Sequence, residues 1–122
     1  MNGLRVAAIA GATAVGCGAF GAHGLRGRIS EEMLGVYQTG ALYHLVHAVA
    51  LLALALYGRA TGQDVRLPAA LWWVGIGLFS GSLYIMAVTG LRAVGMVTPI
   101  GGLCMLAGWA TLALWRSAPS TL

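Results

Sequence analysis

The sequence predicts an all-α integral membrane protein, a four transmembrane helix bundle with a short interfacial helix between helices 1 and 2. Three observations predict it. Only 8% of the 122 residues are charged, against about 25% in an average soluble domain. Hydrophobic residues make up 59%, and the mean hydropathy is +0.84, which leaves too few polar groups to coat a water-facing globule. The apolar residues also fall into four charge-free runs, each near the roughly 20 residues a helix needs to cross a bilayer. Nineteen glycines would weaken a soluble helical domain by about 0.5–1 kcal/mol per interior position, yet glycine is common in membrane helices. This composition excludes a water-soluble enzyme domain, a disordered chain and a nucleic-acid-binding module, and it suits one membrane domain.

The helices are expected at about 5–23, 30–57, 68–89 and 94–115. The first follows Arg5 and runs from Val6 to Ala22. It also has the outline of a secretory signal peptide, and Ala14–Cys17 approaches a lipoprotein cleavage box; the box lacks its leucine, and no soluble domain follows. The second run ends near Tyr57, with Gly58 as breaker, and the third starts near Pro68, where a missing N–H costs nothing. Gly90 ends the third. Thr98-Pro99 has the form of an N-cap followed by proline, which makes Val94–Val97 a separate turn. Between the first two runs, Ser30 is a good N-cap for Glu31 and Glu32, and a partly apolar face over Met33–Tyr37 predicts the interfacial helix, continuous with the second span if nothing breaks it.

An even number of spans puts both termini and the 58–67 loop on one side, here side A, with Arg5, Arg59, Arg66 and Arg116. Side B holds Arg26, Arg28 and Arg92. The excess of arginine favours side A as cytoplasmic. Seven arginines at helix ends serve as headgroup anchors rather than a nucleic-acid surface. The four tryptophans and Tyr57 lie toward side A as an aromatic belt. Cys17 and Cys104 fall inside apolar stretches, so a structural disulfide is not expected.

Small residues recur at spacing four in Ala14, Gly18 and Ala22, with Ala7 and Gly11 above them, and Gly77 and Gly81 form a GxxxG pair. Such stripes let helix backbones approach, within one chain or between copies. The bilayer is the expected partner, and a homo-oligomer or a larger membrane complex is the further one. There is also an internal echo: Gly16–Phe20 and Gly75–Phe79 both read GxGxF, and Gly24–Arg26 matches Gly90–Arg92.

The chemistry concentrates in three histidines. His44 and His47 are three apart and share one helix face, with Tyr37 on the same stripe. Measured from Thr39, they lie about 8 and 12 Å along the helix. His23, Ser82 and Tyr84 fall in the same half of the bundle. Intramembrane ionisable groups usually face the bundle interior, and three readings fit this set. The residues hydrogen-bond across helices and fix their packing. Alternatively His23, His44 and His47 hold a metal or haem, with Cys17, Cys104, Met86, Met96 and Met105 as soft ligands. In the third, the cluster relays protons or a small solute. Catalysis is not expected. The spans carry no paired carboxylates and no Ser-His-Asp arrangement, no phosphate-cradling loop follows a strand, and Glu31 and Glu32 diverge by about 100° on a helix. No resident cofactor is expected outside the metal or haem reading.

Gly18-Ala19-Phe20-Gly21-Ala22-His23-Gly24-Leu25 resembles the signature of the YgdD/YwdK-like small inner-membrane proteins. Tyr37-Gln38-Thr39-Gly40, Tyr43–Ala48, Ser80–Tyr84 and Thr98–Gly102 extend the resemblance over nearly the whole chain. That family is a bacterial domain-of-unknown-function group with a eukaryotic transmembrane relative. The resemblance implies four membrane helices in a bacterial inner membrane and no established activity.

Overall fold

The computed structural model describes residues 2–115; Arg116 of the side-A charge count lies outside them. Four long apolar helices carry the chain: α1 (Gly3–Leu25), α2 (Glu31–Thr61), α3 (Arg66–Thr89) and α4 (Thr98–Ala113), with a 3₁₀ turn, Arg92–Met96, leading into α4. Among the described residues there is no strand. The short connections make sequence neighbours antiparallel: α1 packs along α2, α4 along α3, and α2 meets α3.

Each start has a local cause. Asn2 caps α1 by accepting from the Arg5 amide at 2.8 Å, and Ser30 caps α2 by accepting from the Met33 amide at 3.1 Å. The 30–38 segment is therefore not a separate interfacial helix. It forms the first turns of α2, because neither Gly35 nor Gly40 breaks a helix that packs against its neighbours. α2 also runs past Gly58 and ends at Gly62, a left-handed cap with φ 73° whose N–H bonds the Gly58 carbonyl. Gly90 closes α3 in the same way, with φ 74°. Pro68 lies within the first turn of α3 and is buried. The separate turn before α4 is present, but Thr98 is the first helical residue rather than the cap, and its hydroxyl is turned to α3.

Both odd-numbered helices contain a π turn: Gly21–Leu25 in α1 and Ile76–Ser80 in α3. The echoed GxGxF strings lie immediately before the first and across the second. A π turn inserts one residue into the ladder and rotates the rest of the helix about its axis. The face of α1 that meets α2 is Ala7, Ala10 and Ala14, continued by Gly21; these three alanines join Leu51, Trp72 and Met105 in the core. A second, smaller cluster of Leu25, Leu34, Tyr37 and Ala87 closes side B.

The glycine seams differ from those read in the sequence. A Cβ placed on Gly11, Gly18, Gly77 or Gly81 meets nothing within 4 Å among the described residues, and Ala22 is exposed. Of that set Ala7 and Ala14 are buried in the core. The cause is register: α2 packs on the 7-10-14 stripe of α1, which leaves Gly11, Gly18 and Ala22 at the rim of that contact, where they line shallow grooves beside α2. The close approach is made elsewhere, on α4. A Cβ on Gly101 would collide with the backbone of Leu78 and Phe79, and one on Gly108 with the Trp72 indole. At Gly75 it would meet Met105 at 2.6 Å. Trp72 is 1% exposed, its N–H donating to the Met105 carbonyl at 3.2 Å. It belongs to the core rather than to an aromatic belt; Trp73, Trp109 and Tyr57 keep exposed faces.

Candidate functional site

α2 presents its two histidines near mid-length. They stand 13 and 16 residues beyond Glu31, about 20 and 24 Å along the helix. Both are buried, at 5% and 4% exposure. They point to different neighbours.

His44 faces α1 and α3. Its Nε2 lies 3.1 Å from the Thr13 hydroxyl, and its Nδ1 lies 2.8 Å from the Tyr84 hydroxyl. Thr13 sits 2.9 Å from the Ile9 carbonyl and 3.0 Å from that of Ala10. A hydroxyl has one hydrogen. With that hydrogen on a helix carbonyl, Thr13 accepts from His44 Nε2–H, and Nδ1 accepts from Tyr84. The three groups line a cleft of about 350 Å³ between α1 and α3, whose far wall is Gly77 and Gly81.

His47 faces α3 and α4. Its Nδ1 lies 2.8 Å from the Tyr43 carbonyl, and its Nε2 accepts from the Trp109 indole N–H at 3.0 Å. A carbonyl only accepts and an indole only donates, so His47 is held as the neutral Nδ1–H tautomer. Its ring meets the edges of Trp72 and Trp109, each 5.9 Å away between centroids, and these two tryptophans pack at 4.5 Å.

The other expected site residues divide. The Tyr37 ring packs 4.7 Å from that of Tyr84, but its hydroxyl donates to the Cys17 carbonyl at 2.6 Å. Ser82 lies 2.9 Å from the Phe79 carbonyl and 2.5 Å from the Thr98 hydroxyl, tying α3 to the start of α4 away from the histidines. His23 is exposed on the π turn of α1 and makes no hydrogen bond among the described residues. The expected His23–His44–His47 ligand set is thus not assembled. Among the described residues no three His, Cys, Asp or Glu side chains group as a metal site requires. Thr13 and Trp109 complete the network, and neither is among the residues that the sequence pattern pointed to. Thr13 is the one hydroxyl in the middle of α1, which is a signal; Trp109 reads as a belt residue, because its end of α4 lies near side A.

The glycines of the family-like strings also acquire contacts. A Cβ on Gly21 would stand 2.5 Å from the Tyr37 ring, and one on Gly24 would stand 2.8 Å from the Phe20 ring. Gly40 lets α2 approach the Ser80 carbonyl, Leu83 and Tyr84, each at 3.2 Å from such an atom. Outside the spans, Asp64 pairs with Arg66 at 2.8 Å, and Glu32 with Arg92 at 3.6 Å. Hydrogen bonds from Arg66 hold the Asp64 carboxyl down to about 2.

Four apolar helices with buried, internally bonded imidazoles define a small polytopic membrane protein. The chain belongs to the family described as protein of unknown function (DUF423), whose profile matches residues 17–102. It is similar to UPF0382 membrane protein YwdK of Bacillus subtilis, 42% identical over 87% of this chain and 88% of that one. The UPF0382 membrane protein SSP2132 of Staphylococcus saprophyticus is 43% identical over 83% of this chain and 84% of its own. That of Haemophilus influenzae is 40% identical over 90% and 89%. No solved structure matches the chain.

Proposed function

We propose that this is a non-enzymatic structural or accessory protein of the bacterial plasma membrane, with both termini in the cytoplasm. One observation carries the functional reading: all four ring nitrogens of His44 and His47 are used by side chains or carbonyls of the same chain. A metal or haem ligand needs a free ring nitrogen. A fully bonded imidazole instead ties helices together in a medium that offers no water. The motif glycines Gly21, Gly40 and Gly101 agree, since each is occupied by a neighbouring helix or ring.

The outward Gly77 and Gly81 favour attachment to a further membrane helix, from a second copy or a larger complex, because they leave a cleft that α1 does not fill. All-helical spans suit a plasma membrane rather than an outer one. The arginine excess on side A supports cytoplasmic termini.

Protein purified in mild detergent is expected to be colourless and free of stoichiometric metal. A haem spectrum, or a metal lost in His47→Ala with the fold retained, would overturn the reading. Gly81→Leu should release co-purifying protein, or a second copy, without unfolding the chain; unchanged association would remove the assembly role from this face. A C-terminal reporter should be active only in its cytoplasmic form.

A further inference from the structure

We propose that the gap between α1 and α3 at the side-A surface binds one anionic phospholipid, with its phosphate on Arg66 and Arg59 and one acyl chain in the groove below. Among the described residues α1 does not pack along α3, so the two stand apart over α2. Their side-A halves enclose a groove of about 440 Å³. Its walls are Val6 and Ile9 from α1 and Ala70 and Trp73 from α3, and Ala55 of α2 is part of its floor. Arg66, at the surface end, is the one charged residue in the lining; the side chains below it are aliphatic or aromatic. Trp73 lies about 10 Å along α3 from Arg66, and Ile9 about 9 Å along α1 from Gly3. One leaflet of the hydrocarbon core is about 15 Å deep, so the groove takes most of one acyl chain.

Helix periodicity brings more charge to the mouth. Arg59 lies four residues beyond Ala55, on the same face of α2 and one turn nearer the surface. Arg66 stands in the same relation to Ala70. Arg5 is in the first turns of α1, at the same end of the bundle. All three are exposed, and neither Arg5 nor Arg59 has an ion pair among the described residues. The opposing charge at this end is Asp64, which accepts from Nε and Nη2 of Arg66 at 2.9 and 2.8 Å. An arginine has five N–H donors, so three remain for a phosphate. Three guanidinia against one carboxylate at headgroup level select an anionic lipid over a zwitterionic one. They also disfavour a second copy in the groove, because its own Arg5, Arg59 and Arg66 would arrive at the same depth. The Gly77–Gly81 cleft begins where this groove ends, at Ile9 and Trp73. A helix crossing there at about 40° diverges from α3 toward the surface and leaves the groove to lipid.

Native mass spectrometry of the full chain, released from bilayers of equal phosphatidylglycerol and phosphatidylcholine with matched acyl chains, tests this. One phosphatidylglycerol per chain should be retained, at least about tenfold over phosphatidylcholine. Arg59→Gln and Arg66→Gln should each weaken retention about fivefold. Ala70→Trp, which fills the groove from an exposed position, should abolish it. Arg28→Gln removes the same charge on side B and should change nothing. In the unmodified protein, phosphatidylglycerol with a photoreactive group at mid-chain should crosslink to the α1 and α3 walls of the groove, which tests the site even where a variant fails to fold. Equal retention of the two lipids overturns the proposal. So do an equal loss in Arg28→Gln, retention in Ala70→Trp, or crosslinks spread evenly around the bundle. A co-purifying protein that displaces the lipid would make a helix the occupant and overturns it as well.

Discussion

The two flanks of α2 are built from similar materials and differ in how those are used. On the α4 flank, His47 is held by partners that act one way, and Gly101 and Gly108 are filled by Phe79, Leu78 and Trp72. On the α1 flank, His44 sits between hydroxyls, and Gly77 and Gly81 face a cleft. The same residue types therefore make a sealed seam on one side and an open cleft on the other. Glycine spacing alone does not distinguish a packed contact from an empty one; which face the neighbouring helix takes does.

The sharpest way to break this contrast is to fill both kinds of glycine. Gly101→Leu drives a side chain into the α3 backbone and should cost about 3 kcal/mol or more, the upper end for overpacking. The loss is read as failure to purify monodisperse protein or as a large fall in unfolding temperature. Tyr84→Phe removes one of the two bonds to His44 and should cost about 0.6 kcal/mol, an ordinary value for a hydrogen bond between membrane helices. Denaturant unfolding in detergent measures it; a cost above about 2 kcal/mol would make the α1 flank as rigid as the α4 flank. Gly77→Ala should be neutral or should stabilise the monomer by up to about 0.5 kcal/mol, since nothing opposes the added methyl. A loss there would show that the cleft closes.

The smallest effect lies outside the bundle, at Asp64. Its folded carboxyl sits near 2, below the usual carboxylate value. A depressed carboxyl contributes stability above its unfolded value and loses it as pH falls through the folded one. Any change should therefore fall between about pH 4 and 2. The pair is fully exposed and solvent-screened, so Asp64→Asn should leave unfolding unchanged from pH 5 to 8.

The four spans were legible because bilayer thickness and the scarcity of charge dictate them. The Ser30 cap and the Gly90 stop were legible because both obey local backbone chemistry. The stripe that packs α1 was not, since the sequence offers Ala7-Ala10-Ala14 and Ala14-Gly18-Ala22 as rival small faces and only the neighbour chooses. The pairing of His44 with Tyr84 fell within the expected polar set. The separation of His44 from His47 did not, because residues three apart share a broad face and yet meet different helices once α1 and α4 flank it. The two π turns lay next to an echo in the sequence, but a repeated GxGxF carries no mark of an inserted residue.

The central claim is that the intramembrane imidazoles are ties between helices, and the His47–Trp109 bond tests it most directly. A double-mutant cycle with His47→Ala and Trp109→Phe, unfolded in one detergent, isolates that bond. The predicted coupling is about 0.6–1.7 kcal/mol, the range for hydrogen bonds between membrane helices. A coupling of zero, with His47→Ala as stable as the unmodified protein, would contradict the account.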